Sequence, residues 1–335
     1  MVSRGMVWSL TRSGVAAVTV MAIGVALSGP ASAATPNVDG AGQNVSSIAR
    51  TVARATQGMG SRVRASVGDP SVATQAGPNR VSIPSDPRSP IVMQRASGQG
   101  VGLTVRVPDD LGLSAARVAA DGTVVYSSDN RHAAAAVQIL DDGAVRLQTV
   151  IPSAVAVGDY SYTFDSDVTL LPNSDGTVSL VTEVAPGLTV IRGTVDSPWA
   201  VDSKGNQVPT SYRVVGHSLV QAIRPLADTV YPVVADPKLT FGMGAYLNMS
   251  GAEWKSWAYI VGSSLVFGST YVCMRFGNTI IGQACTLIGV PTGISTFLDM
   301  VASVGAWSLD PVACYQNRIL PENNRVTRVA LSNCQ

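Results

Sequence analysis

Four cysteines and two histidines bound the chemistry open to this chain. A zinc site usually draws on closely spaced Cys or His pairs such as C-x-x-C. Cys273, Cys285, Cys314 and Cys334 contain no such pair, and His132 and His217 lie far from them in the sequence. A cysteine nucleophile needs a nearby base to hold it as thiolate, and none is close. An even count points instead to two disulfides, provided the chain reaches an oxidising compartment. Cys273 and Cys285 cannot bond across one straight helix, because twelve residues rise about 18 Å and a disulfide needs Cα atoms within about 7 Å. Their pairing requires the chain to fold back near Gly277, and Cys314 with Cys334 then closes the tail. Of the three possible connectivities this is the expected one.

The other reactive groups carry less. There is no G-x-S-x-G for a serine nucleophile, and Gly262-Ser263-Ser264 lies in an apolar stretch. Both histidines stand in turn-like contexts, so neither has an evident base role. Asp109-Asp110, Asp141-Asp142 and Asp165-x-Asp167 could serve a glycosidase or hold calcium, with Asp159, Asp165 and Asp167 the best cation set. Each pair lies beside turn residues, where Asp bonds its own backbone, and no site is assigned to them. No phosphate-binding loop or dinucleotide fingerprint occurs. No catalytic residue, metal ligand or cofactor site is expected.

Stepping outward, residues 1–33 have the form of a secretory signal peptide. Arg4 and Arg12 supply a positive start, Val15 to Leu27 is uncharged and apolar, and Ala31-Ser32-Ala33 is a small-x-small cleavage site. Its apolar run is shorter than a spanning helix needs, so the protein is expected to be secreted, with the envelope or a membrane surface as its surroundings. The whole chain carries 23 Lys plus Arg against 22 Asp plus Glu. That balance excludes the basic excess of a nucleic-acid binder. Charged residues are only 13% and aromatics 6%, well below the usual charged share.

Residues 34–96 are rich in Ala, Gly, Ser, Pro and Thr. They read as a disordered linker or pro-segment with at most one short helix over 45–59. Residues 97–238 alternate apolar and polar side chains in short runs: 101–107, 123–126, 135–140, 144–151, 159–164, 177–184, 211–215 and 218–223. Asp121-Gly122, Asp142-Gly143, Asp175-Gly176 and Lys204-Gly205-Asn206 punctuate them as turns, where Gly reaches positive φ freely. Many short strands with hardly any helical period predict an antiparallel β-sandwich. No cysteine falls here, so hydrophobic packing must hold it.

Residues 239–335 change character, and a small Gly-rich, α-helical, disulfide-stapled domain is expected. Ser250 and Glu253 have capping-box spacing. Behind them Trp254, Trp257, Ala258, Val261, Leu265 and Gly268 share one face of an amphipathic helix. Two or three helices are expected, broken near Gly277 and at 289–293, before a polar tail that forms an irregular or β-hairpin cap. Phe276 to Leu298 has no formal charge and is long enough to span a bilayer if helical. Trp254, Trp257 and Trp307 bracket the apolar region as interfacial aromatics do. Bacteriocin-like membrane insertion of this domain is therefore the alternative to a self-packed hairpin. Pro291 and the polar breaks favour the hairpin.

Two stretches carry a resemblance. Residues 197–210 (SPWAVDSKGNQVPT) and 230–237 (VYPVVADP) resemble a large group of uncharacterised secreted proteins of actinobacteria. In that group a β-rich domain closes in YPVVADP and a variable C-terminal region follows. The match covers roughly 100–238, and the C-terminal region is similar to one variant of the group. The resemblance implies an exported Gram-positive protein and no catalytic residue. The expectation is a non-enzymatic envelope or extracellular interaction protein, with the sandwich as scaffold and 239–335 as the binding part. Membrane activity of 239–335 comes second and a carboxylate-based hydrolase last.

Overall fold

The computed structural model describes residues 40–68, 73–98, 100–128, 132–289 and 291–334; the signal-peptide reading of 1–33 lies outside them. Helix α1 (Gly40–Ala55) opens the described chain. It is followed by β1 (Asn79–Pro84), β2 (Ile91–Arg95) and β3 (Leu103–Arg106), each antiparallel to the next. The expectation of a disordered 34–96 is thus corrected over its described part. Two physical reasons stand out. Val45, Ile48, Ala49 and Val52 are all buried and spaced as one helical stripe. Pro78, Pro84, Pro87 and Pro90 fall at strand ends and in the β1–β2 turn, where no ladder hydrogen bond is lost. Low average hydrophobicity concealed a well-placed apolar face.

The middle of the chain folds as its alternation predicts: β4 (Val124–Tyr126), β5 (Ala134–Leu140), β6 (Val145–Ile151), β7 (Asp159–Phe164), β8 (Thr169–Pro172), β9 (Val178–Ala185) and β10 (Leu188–Val195). Then come β11 (Thr210–Val215), β12 (Ser218–Ile223) and the three-residue β13 (Val233–Ala235). Gly122, Gly143, Gly176 and Gly205 take positive φ at the expected turns. Among the described residues one sheet runs β8-β9-β10, then β14 (Lys238–Ser250), then β6-β5-β4, and the other runs β11-β12-β7-β3-β2-β1, with shorter pieces at their edges. The alternating inward residues of both sheets form the main core, including Ile83, Met93, Leu103, Tyr126, Leu147, Tyr162 and Leu219. This is the expected antiparallel sandwich.

Helix α1 docks on the outside of the larger sheet, against Val125, Ala134, Ala136, Val150 and Val234. The alanine run entering β5 now has a reason: small side chains let the helix approach the strand.

The division drawn at residue 238 does not coincide with a linker. Strand β14 (Lys238–Ser250) crosses it without a break, and Asp39–Gln335 forms one compact unit. Strand β14 pairs with β10 along most of its length. On its other side it pairs first with β6 and then with β15 (Cys314–Leu320), which continues into β16 (Val326–Arg328). Leu239 and Phe241 belong to the sandwich core, whereas Ala245, Leu247 and Met249 belong to a second core under the C-terminal helices.

Those helices are α2 (Gly251–Ser264), α3 (Ser269–Arg275), α4 (Ile280–Ile288) and α5 (Pro291–Ser303). The capping box at the start of α2 forms in both directions: Ser250 N donates to Glu253 Oε2 (2.8 Å) and Glu253 N to Ser250 Oγ (3.2 Å). Small residues bring α2 and α5 together, with the Ala302 Cβ beside Gly262. Cys273–Cys285 ties α3 to α4, and Cys314–Cys334 closes the tail hairpin. The reversal between α3 and α4 leaves no room at Gly282, where a Cβ would meet Phe276 O at 2.2 Å. The 276–298 span is corrected: α4 ends at Gly289 in left-handed backbone and Pro291 opens α5. No described helix is long and apolar enough to cross a membrane.

Candidate functional site

The residues that could do chemistry are largely occupied within the fold. All four cysteines are in disulfides. Asp159 is held by Arg224 (2.8 Å) and Arg213 (3.2 Å), and the hydrogen bond from Arg224 keeps its carboxyl below the usual range. Asp165 accepts from Thr104 N (2.9 Å) and from the buried Arg192 (3.2 Å), which also grips Asp167. Asp142 Oδ1 accepts from Ala144 N (2.9 Å) in its turn, and Asp109 and Asp110 open a single helical turn over Asp109–Leu111. No group of three or more His, Cys, Asp or Glu among the described residues is arranged to hold a metal. His217 bonds Val168 O through Nδ1 (3.0 Å), which makes it a turn brace.

The stretches that carry the resemblance also serve the fold. Asp202 accepts from Lys204 N and Asn206 N (both 2.9 Å), from Asn206 Nδ2 (3.1 Å) and from Val230 N (3.3 Å). Desolvation opposes its ionisation, but those hydrogen bonds outweigh it and hold the carboxyl below its ordinary pKa. One aspartate thus closes the Lys204-Gly205-Asn206 turn and ties it to the chain entering β13. Strand β13 begins just after Pro232 and stays on β6 past its end: Ala235 pairs with Thr149, Leu147 N donates to Pro237 O (2.9 Å) and Lys238 pairs with Arg146. Asp236, just past its end, is 1% exposed and neither carboxyl oxygen meets a hydrogen-bond partner. Burial raises its pKa to about 8, against the weaker pull of the Trp199 indole N–H, which lies near the carboxyl but outside hydrogen-bond geometry, and of the Arg146 guanidinium. Arg146 is itself buried, and its Nη2 donates to Met59 O (2.7 Å). A carboxyl sealed this way acts on stability, since no substrate reaches it.

The three tryptophans marked as membrane-facing do not form an outer belt. Trp254 is fully buried and donates through Nε1 to Tyr315 O (3.2 Å). Trp257 is half-buried, edge-on to Phe276, and Trp307 packs against the same core. The helical period put the first two on one face; that face turns inward onto β14 and β15. The apolar side chains left outside are others: Tyr259 and Val266, each 80% exposed, with Phe267, Tyr271 and Met274.

One surface remains as a candidate binding site, and sequence reading did not find it. Strands β8, β9, β10, β14 and β15 turn one face to the cores and the other to solvent. The open face holds a cleft of about 540 Å³, within the usual range of ligand sites. Cross-strand register sets its rows. Glu183, Thr189, Tyr246 and Arg318 form one, and Thr169, Val181, Ile191 and Gly244 the next. Tyr246 leans back along its strand over Gly244, where a Cβ would come within 2.8 Å of the ring. The glycine lets the ring lie against the sheet beside Ile191.

Hydrogen-bonding groups flank this apolar strip on both sides. On one, Gln316 Nε2 donates to Asn248 Oδ1 (2.9 Å), and no hydrogen bond among the described residues engages Gln316 Oε1 or Asn248 Nδ2. On the other, Asn173 Nδ2 donates to Thr177 Oγ1 (2.9 Å) and Ser179 Oγ (3.0 Å). Asn333 lines the cleft too, one residue before the cysteine that bonds Cys314. Among the described residues Glu183 is the charged side chain lining the cleft, and Arg318 stands at the end of the Tyr246 row with its Nε donating to Pro321 O (3.1 Å). These side chains come from five strands and the tail, and only their pairing brings them together. The one local signal is Gly244-Ala245-Tyr246, an aromatic two residues after a glycine in a strand. No protein-family model, curated protein or solved structure matches the chain.

Proposed function

We propose that this chain is a secreted, non-enzymatic interaction protein of the actinobacterial cell envelope that binds its partner on the open face of the β8-β9-β10-β14-β15 sheet. The observation that carries the reading is the cleft built around Tyr246, with amides and hydroxyls on either side of an apolar strip. Two disulfides support an oxidising destination. The leader-like residues 1–33 and the YPVVADP segment support export from a Gram-positive cell. The structural engagement of Asp159, Asp165, Asp167 and His217 supports binding over hydrolysis. The sequence had placed the binding part in 239–335. Here the sandwich strands and the C-terminal strands share it.

The test is co-sedimentation of the full chain with isolated Gram-positive cell walls. The intact protein is expected to pellet with the walls, and Tyr246→Ala to stay in the supernatant at an unchanged melting temperature. Failure of the intact protein to pellet contradicts the reading, and so does equal pelleting of the variant.

A second reading rests on the exposed ridge of Tyr259, Val266, Phe267, Tyr271 and Met274 on α2, α3 and the turn between them. Aromatic and apolar side chains beside Arg275 suit shallow contact with an anionic membrane surface. This reading keeps the membrane as partner but replaces insertion with surface attachment. Anionic vesicles should then retain the full chain without leaking, and Phe267→Ser should release it. Dye leakage, or retention of that variant, argues against it.

A further inference from the structure

We infer that the open-face cleft binds an uncharged polysaccharide chain, one sugar ring lying on Tyr246; this rests on the binding reading above and assigns its ligand class. A pyranose has one face of C–H groups and a rim of hydroxyls. It therefore matches a flat apolar surface bordered by groups that both donate and accept. Tyr246 over Gly244, with Ile191 beside it, is such a surface. Planar amides carry a donor and an acceptor side by side, the arrangement two neighbouring hydroxyls require. Asn248 and Gln316 are fixed by their mutual hydrogen bond, which leaves an acceptor on one and a donor on the other.

Charge separates this ligand from the alternatives. One carboxylate, Glu183, lines the cleft, and the one cation of the Tyr246 row, Arg318, stands at its end with Nε donating to Pro321 O (3.1 Å), so the site has no cluster of cations to compensate a phosphate, a sulfate or a run of uronic acids. A protein partner would be expected to find a more aromatic and Arg-rich centre.

The experiment has two arms on the full chain. In the first, maltoheptaose and cellohexaose, whose 4-linked rings keep a 2,3-diol, are titrated calorimetrically, with polygalacturonate as the charged control. At least one neutral oligosaccharide is expected to bind, and Tyr246→Ala to weaken it by about tenfold or more. Gly244→Ala, which evicts the ring while keeping it in the sequence, should do the same. Binding of polygalacturonate alone overturns the inference, as does no binding at all or binding indifferent to both variants. In the second arm, cell walls are treated with periodate, which cleaves vicinal diols, or with protease. Periodate should abolish pelleting and protease leave it. The reverse pattern overturns the glycan while the binding reading survives. Untreated walls that bind nothing sink the binding reading, and the titration then decides the glycan.

Discussion

The two cores of this molecule are stabilised differently, although one strand runs through both. The sandwich core gathers large aliphatic and aromatic side chains from two sheets and contains no disulfide. The C-terminal core lies under four short helices, carries two disulfides and leaves Val266, Phe267 and Met274 outside. Helices this short are marginal by themselves. The staples supply by loop closure what local cooperativity does not. The difference teaches where stability ends and adaptability begins: the sandwich fixes the position of β10 and β14, and the stapled layer borders the cleft they share.

Truncating each core gives the largest expected effect. Trp254→Ala should cost about 3–5 kcal/mol and Leu147→Ala about 2–5 kcal/mol. Hydrogen exchange separates them. The Trp254 variant should lose protection first in 251–303, whereas the Leu147 variant should lose it throughout. Uniform loss in both would merge the two cores into one cooperative unit. Replacing Cys273 and Cys285 together by Ser should cost about 3 kcal/mol through loop closure. Melting should then resolve into two transitions, with the strands of the sandwich retained in the second. A single unchanged transition would remove the staple from the account.

The sandwich side has its own pH signature at Asp236. Its folded pKa is raised to about 8 from an ordinary value near 4. The native state therefore holds a proton that the unfolded chain releases, and stability is fully present below about pH 4. It falls as pH rises toward 8, by at most about 1.4 kcal/mol per unit. Asp236→Asn should flatten this slope in urea titrations between pH 5 and 8, with little change at pH 4. An unaltered slope would show that Asp236 is ionised in the fold. The smallest effect belongs to the cap of α2: Ser250→Ala should cost about 1 kcal/mol, read as a lowered urea midpoint with earlier loss of exchange protection at the start of α2.

Much of the sandwich was legible in the sequence because its cues are local. Asp-Gly turns at 121–122, 142–143 and 175–176 mark hairpins, and 159–164 alternates cleanly. The capping box and the disulfide pairing followed from spacing and helix rise. What escaped depends on distant partners. The stripe of α1 is ordered by alanines in β5, some ninety residues later in the sequence, as the numbering shows. Strand β14 is interrupted by Gly242, Gly244, Ala245 and Asn248, all weak strand formers, and it is held by neighbours on both sides. Trp254 and Trp257 sit at helical spacing, which cannot say whether a face meets lipid or a sheet. The cleft was the least legible, since register alone brings Glu183, Thr189, Tyr246 and Gln316 together.

The most direct test of the central claim is hydrogen–deuterium exchange on the full chain, with and without solubilised cell-wall fragments. The account predicts new protection in 179–193, 244–248 and 314–318, the strands that carry the open face. Protection confined to 259–275, the exposed apolar ridge, would contradict it and make the stapled helices the binding surface.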